Sequence, residues 1–156
     1  HLPYWLRPPS RANSPVRAAA AGAPVGRLVF LAPMGEIPLN LHLFAARPNF
    51  RPRILKGLHR RLETRIGMQL YETNMTHTGR LADYPPLLLI HDPDDPDSPH
   101  AASERVAATW PGARLMTTRG LGRLAHYRIL RHRPAISAGV DFIGPATAPK
   151  APSAEA

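Results

Sequence analysis

The chain has no cysteine, which removes a disulfide framework and any thiolate-held zinc from consideration. Lysine is almost as scarce. Of the 20 basic residues only Lys56 and Lys150 are lysines, so arginine carries the formal net charge of +9. Arginine of this kind, in a chain rich in alanine and proline, is the bias of a GC-rich genome, and it is scattered except for a cluster between Arg51 and Arg65. The charge therefore reads as compositional, and the cluster as the solvated face of a helix rather than a nucleic-acid-binding module. No apolar run reaches the ~18 residues that suggest a membrane span. A cytoplasmic location is the expectation.

What is present is an alternation of short apolar runs and helical periods. A length of 156 residues suits one domain with a modest core. Residues 1–24 form an irregular segment rich in proline, arginine and alanine, with at most a short helical piece at Val16–Ala21. The start at His1 and the lack of any period in the first residues suggest a fragment or a misread frame. Arg27-Leu-Val-Phe-Leu-Ala-Pro33 and Pro86–His91 are continuous apolar runs, as expected of strands buried on both faces in a parallel sheet, and Ala113–Thr118 is a weaker third.

Helices are expected between them. Leu39–Ala46 is a short one. Residues 52–66 place Ile54, Leu55, Leu58, Leu62 and Ile66 on one face and Arg53, Lys56, Arg60, Arg61 and Arg65 around much of the rest, with Gly67 as the stop. Ser98 is suited to cap a helix with Pro99 in its first position, running to Trp110. A last helix is expected over Tyr127–Ile143, kinked or interrupted at Pro134, and the tail 146–156 should be disordered. Strand, helical insert, strand, helix, strand, helix implies an α/β fold: a partial parallel sheet flanked by helices, with further strands belonging upstream.

Two loops carry chemistry. His91-Asp-Pro-Asp-Asp-Pro-Asp97 follows a strand, where ligands gather in open α/β sheets. Counted from Asp92, a calcium loop would need glycine where Asp97 stands, so metal binding is not implied. Asp97 reads as a capping or solvated acid and Asp95 as the functional one. His126 lies past the Gly120-Leu-Gly122 turn and before an apolar helix, so Asp95 could accept from one of its ring nitrogens. His91, at the strand end, reads as packing or orienting the acid loop.

With these residues in view, Leu87–Ile143 resembles the C-terminal part of the α/β-hydrolase superfamily, in its serine esterase, lipase and peptidase-like branch. There a strand ending in His-Gly/Asp-x-x-Asp-x-x-Val-Pro supplies the acid, and a later Gly-x-Gly-His supplies the base. The resemblance extends to the Ala-Pro end of Arg27–Pro33 and implies a hydrolase core over 25–145, with residues 36–83 as a helical cap. It gives Asp95 and His126 the roles of acid and base. The substrate implied is an ester, thioester or amide cleaved through an acyl-serine, with no cofactor and no metal. Two departures stand out: Ser98 replaces the usual valine, and Arg-Leu-Ala separates Gly122 from His126, which is expected to carry the histidine several ångströms away.

In the family's order, Ser…Asp…His, the serine sits in a Gly-x-Ser-x-Gly elbow. Ala12-Asn-Ser14-Pro-Val16 is the positional match, so Ser14 is the candidate nucleophile and residues 1–24 the remnant of the elbow region. Both glycines are gone, and Pro15 lacks the N–H that the oxyanion hole requires, a loss worth roughly 3 kcal/mol. A non-catalytic α/β-hydrolase-like binding domain is the alternative.

Overall fold

The computed structural model describes residues 15–20, 23–46, 52–77 and 84–144. Three short strands, β1 (Leu28–Leu31), β2 (Leu87–His91) and β3 (Arg114–Thr117), make one sheet in the order β1-β2-β3. Both pairings are parallel, with Leu28 opposite Leu87 and His91 opposite Thr117.

All five residues of the central strand β2 are buried, which is why its sequence is an unbroken apolar run instead of an alternation. Leu87 and Leu89 face one way, into a cluster with Val16, Leu28, Val106 and Trp110. Leu88 and Ile90 face the other, among Leu121, Ala125, Ile129 and Ala135. The first face is covered by α1 (Pro15–Ala20) and α4 (His100–Thr109), the second by α5 (Ala125–Arg128) and α6 (Arg133–Ile143). Trp110 closes the first cluster by donating from Nε1 to the Pro85 carbonyl at 3.0 Å, so its one polar atom is satisfied where it is buried. On the second face, α6 comes so close to β1 that a Cβ on Gly139 would lie 3.3 Å from Val29 Cγ1.

Between β1 and β2 run α2 (Ile37–Ala45), α3 (Pro52–Ile66) and a single 3-10 turn at Leu70–Thr73. The basic residues of α3 are exposed as expected, and Leu55, Leu58, Leu62 and Ile66 are half-buried. Ile54, expected on the apolar face, is instead 52% exposed, in the first turn of the helix. A bidentate ion pair from Arg105 on α4 to Glu36, at 2.7 and 2.8 Å, fixes the start of α2 to the sheet layer.

One helix expectation is corrected and another is met. Ser98 does not cap α4: the helix starts at His100, Pro99 occupies the cap position in extended conformation, and no side chain caps it. The buried Ser98 hydroxyl has a nearer acceptor, the Pro33 carbonyl at 2.8 Å. The last helix is interrupted before Pro134, as expected. It is α5, one 3-10 turn at Ile129–Arg131, then α6, with His132 extended between them. Pro134 lacks an N–H and is tolerated only in a first turn, so the chain restarts its helix there. Segment 1–14 and the tail 146–156 lie outside the described residues.

Candidate active site

The site lies at the carboxyl ends of the three strands, where the loop after β2 is locked by its own acids. Asp92 is buried: its Oδ1 accepts from the Asp94 N–H at 3.0 Å and its Oδ2 from the Thr118 hydroxyl at 2.9 Å. The Thr118 N–H also donates to the His91 carbonyl at 2.9 Å, extending the β3 to β2 ladder past the strand ends. Asp92 is thus a buried strut of the loop. Asn40 on α2 donates from Nδ2 to the Asp97 carbonyl at 2.7 Å. With Ser98 bonded to Pro33, the acid loop is tied to the ends of both neighbouring strands and to the insert.

The end of β1 is strained. Ala32 has φ of 47°, a left-handed conformation that costs a non-glycine residue energy and is disfavoured before proline. Its N–H donates to the Ile90 carbonyl at 2.9 Å, which holds it there, and the next residue is the Pro33 that accepts from Ser98. Such strain gathers where a backbone must deliver a group to a site.

At the centre is Asp95, 7% exposed, with both carboxylate oxygens fully engaged. Oδ1 accepts from the N–H groups of Asp97 at 2.8 Å and Ser98 at 3.0 Å. Oδ2 accepts from His126 Nδ1 at 2.9 Å and from His91 Nε2 at 3.3 Å. Burial pushes the carboxyl up, but the hydrogen bonds from His91, His126, Asp97 and Ser98 outweigh it and hold the group at about 2. The carboxylate is therefore ionised and can only accept, so each neutral histidine must donate to it.

His126 reaches Asp95 despite the three residues inserted after Gly122. The expected displacement does not occur because the insertion coils instead of extending. Gly120 and Gly122 take φ of 78° and 65°, conformations that glycine adopts without steric cost. Gly122–Leu124 then forms a 3-10 turn that runs straight into α5, where Ala125 is fully buried. Arg128 braces the turn with Nη1 donating to the Leu121 carbonyl at 3.0 Å. The His126 side chain is 21% exposed, and with Nδ1–H committed to Asp95 its Nε2 keeps a lone pair. Among the described residues Nε2 has no hydrogen-bond partner.

On the other side of the carboxylate, His91 touches the acid loop as its place at the strand end implies. Its second partner is Ser103 on α4, a residue that no sequence motif marks. Ser103 Oγ lies 2.6 Å from His91 Nδ1, and both residues are fully buried. A hydroxyl in the middle of an alanine-rich helix was the one signal available. Ser14, the third residue expected at the site, lies outside the described residues. Among the described residues no group of three or more His, Cys, Asp or Glu is arranged to hold a metal ion. Nor is any described helix long and apolar enough to cross a membrane.

No protein-family model matches the chain, and no curated protein sequence does. Solved structures are similar to it. The butyrate-bound esterase Est2 of the planctomycete Thermogutta terrifontis aligns with a TM-score of 0.50 at 16% identity, over 78% of this chain and 44% of the esterase. Rv0554 from Mycobacterium tuberculosis aligns with a TM-score of 0.51 at 16% identity, over 84% of this chain and 61% of its own. The chain has part of an α/β-hydrolase fold, a three-stranded parallel sheet flanked by helices. It spans less than two thirds of the length of either neighbour.

Proposed function

We propose that the chain carries the acid–base half of an α/β-hydrolase-type serine hydrolase acting on small esters, thioesters or amides in the cytoplasm. The observation that carries this reading is the 2.9 Å bond from His126 Nδ1 to an Asp95 carboxylate whose other oxygen is saturated by backbone N–H groups. That arrangement fixes one tautomer and leaves Nε2 as a base.

In the reaction, His126 Nε2 takes the proton of a serine hydroxyl as its oxygen attacks the substrate carbonyl. The imidazolium, stabilised by Asp95, then returns that proton to the departing alcohol, thiol or amine. Water deprotonated by the same nitrogen cleaves the acyl-serine and restores both groups. Ser14 is the candidate nucleophile from its place in the chain order. The insert between β1 and β2, read as a cap over residues 36–83, would shape the acyl pocket. Residues 47–51 and 78–83 of it lie outside the described residues.

A second reading, a binding domain without turnover, is favoured by one feature. Pro15 begins α1, so the position after Ser14 has no N–H to offer an oxyanion. Labelling with a fluorophosphonate separates the two readings. The hydrolase reading expects labelling of the wild-type chain that disappears in Ser14→Ala and is strongly slowed in His126→Ala. A folded wild-type chain that takes no label belongs to the second reading.

A further inference from the structure

Asp95 Oδ2 serves two histidines, and the proposed chemistry uses only one of them. The unused one, His91, is completely buried and stands between Asp95 and Ser103, with Nε2 3.3 Å from Oδ2 and Nδ1 2.6 Å from the serine hydroxyl. The connectivity Ser–His–Asp is that of a nucleophilic triad, but Ser103 is 0% exposed and no substrate can reach it. A buried chain of this kind has a different use.

We propose that His91, held by Ser103, is a positioning residue for the Asp95–His126 pair. It is locked as the Nε2–H tautomer so that it fills the second acceptor site of Oδ2 and fixes the carboxylate for His126. This rests on the reading of Asp95 and His126 as the acid and base of a hydrolase. The tautomer follows from the partners. The ionised Asp95 can only accept, so Nε2 donates, and Nδ1 of the neutral ring accepts from the Ser103 hydroxyl. The opposite tautomer would turn a lone pair towards the carboxylate. His100 is the other titratable ring beside His91, with centroids 5.6 Å apart, and its own nitrogens are engaged by Glu104 at 3.2 Å and Thr117 at 3.1 Å. The two histidines on Asp95 therefore carry opposite tautomers, His91 as Nε2–H and His126 as Nδ1–H.

The consequence concerns orientation. Oδ1 is anchored by two backbone N–H groups, which set the position of the carboxyl group but leave its rotation about that anchor to whatever holds Oδ2. His126 is partly exposed on the four-residue α5 while His91 is completely buried, so His91 is the fixed contact. Without it, Asp95 retains its charge and loses its aim.

Two-bond proton–nitrogen NMR spectra of the imidazoles in the full chain test this directly, with the exchange rate of the His126 Nδ1 proton as the second readout. The expected result is opposite tautomers in the wild type. In Ser103→Ala, His91 should keep its Nε2–H towards Asp95 but lose the contact that holds its ring, and the His126 proton should exchange about tenfold faster, the scale of one hydrogen bond. Ser103→Thr, which keeps the hydroxyl, and His91→Gln, which keeps a donor near Nε2, should restore slow exchange. His91→Leu should not. A wild-type His91 in the Nδ1–H form overturns the proposal, as does a folded Ser103→Ala chain whose His126 proton exchanges at the wild-type rate. Neither readout needs turnover. Opposite tautomers in a chain that fluorophosphonate does not label would therefore support the positioning role and count against the hydrolase reading alone.

Discussion

Two histidines meet one carboxylate oxygen, and their surroundings assign them different work. On the inner side, His91 is sealed between β2 and α4, and every polar atom its ring presents is matched by Asp95 or Ser103. On the outer side, His126 is 21% exposed, bonds Asp95 through one nitrogen and keeps the other free among the described residues. The residue type is the same and so is the acceptor. Burial separates the imidazole that can only be a strut from the one open to act as a base, because leaving a buried ring nitrogen unpaired costs free energy that an exposed one recovers from water.

The comparison breaks most sharply on the outer side. His126→Ala should slow fluorophosphonate labelling by roughly 10³-fold, within the usual range for a general base. Its unfolding free energy from a urea titration should fall little, by about 1 kcal/mol, since only one partly exposed hydrogen bond is lost. On the inner side the pattern inverts. His91→Ala should cost about 3 kcal/mol in the same urea titration, because it leaves a cavity and takes a partner from both Asp95 and Ser103. Equal losses of stability in the two variants would erase the distinction between strut and base.

The carboxylate they share sets the pH behaviour. Its folded value is depressed from 3.8 to about 2, so the stability it contributes is fully present above roughly pH 4 and fades as pH falls through 2. The contribution should be about 2 kcal/mol, since each tenfold change in proton affinity is worth roughly 1.4 kcal/mol. Urea midpoints of the wild type between pH 5 and pH 2 should show this slope, and Asp95→Asn should flatten it.

A smaller effect is expected at the turn that delivers His126. Gly122→Ala puts a Cβ at φ of 65°, costing about 1 kcal/mol or slightly more, and should slow labelling by shifting the 3-10 turn. The weakest is the surface pair. Arg105→Ala should lower stability by less than about 1 kcal/mol, and high salt should erase the difference.

The parts legible in the sequence are those whose cause is local. A run of Leu87, Leu88, Leu89 and Ile90 with no polar alternation means burial on both faces, and β2 is the central strand. The basic and apolar stripes of residues 52–66 give α3 almost to the residue. Pro134 announces a break, and glycines at 120 and 122 announce a turn with positive φ. The acid after β2 and the histidine after β3 are legible because strand ends in a parallel sheet converge on one edge.

What the sequence could not decide is whatever depends on distances across the sheet. Spacing alone suggested that Arg123-Leu124-Ala125 would carry His126 out of reach. Only the packing of Ala125 and Ile129 against Ile90 shows those residues coiled into a turn, bringing two side chains 31 positions apart to 2.9 Å. In the same way Ser98 looks like a helix cap until the Pro33 carbonyl, 65 positions away, proves the nearer acceptor. His91 becomes a partner of Ser103 only because α4 lies against β2. Periodicity and turn chemistry report on neighbours along the chain, so the sequence determined the strands, the amphipathic helix and the candidates for acid and base. The pairing of hydrogen-bond donors with acceptors is a property of the folded interior, so tertiary structure decided which histidine is buried, which is open, and how one carboxylate holds both.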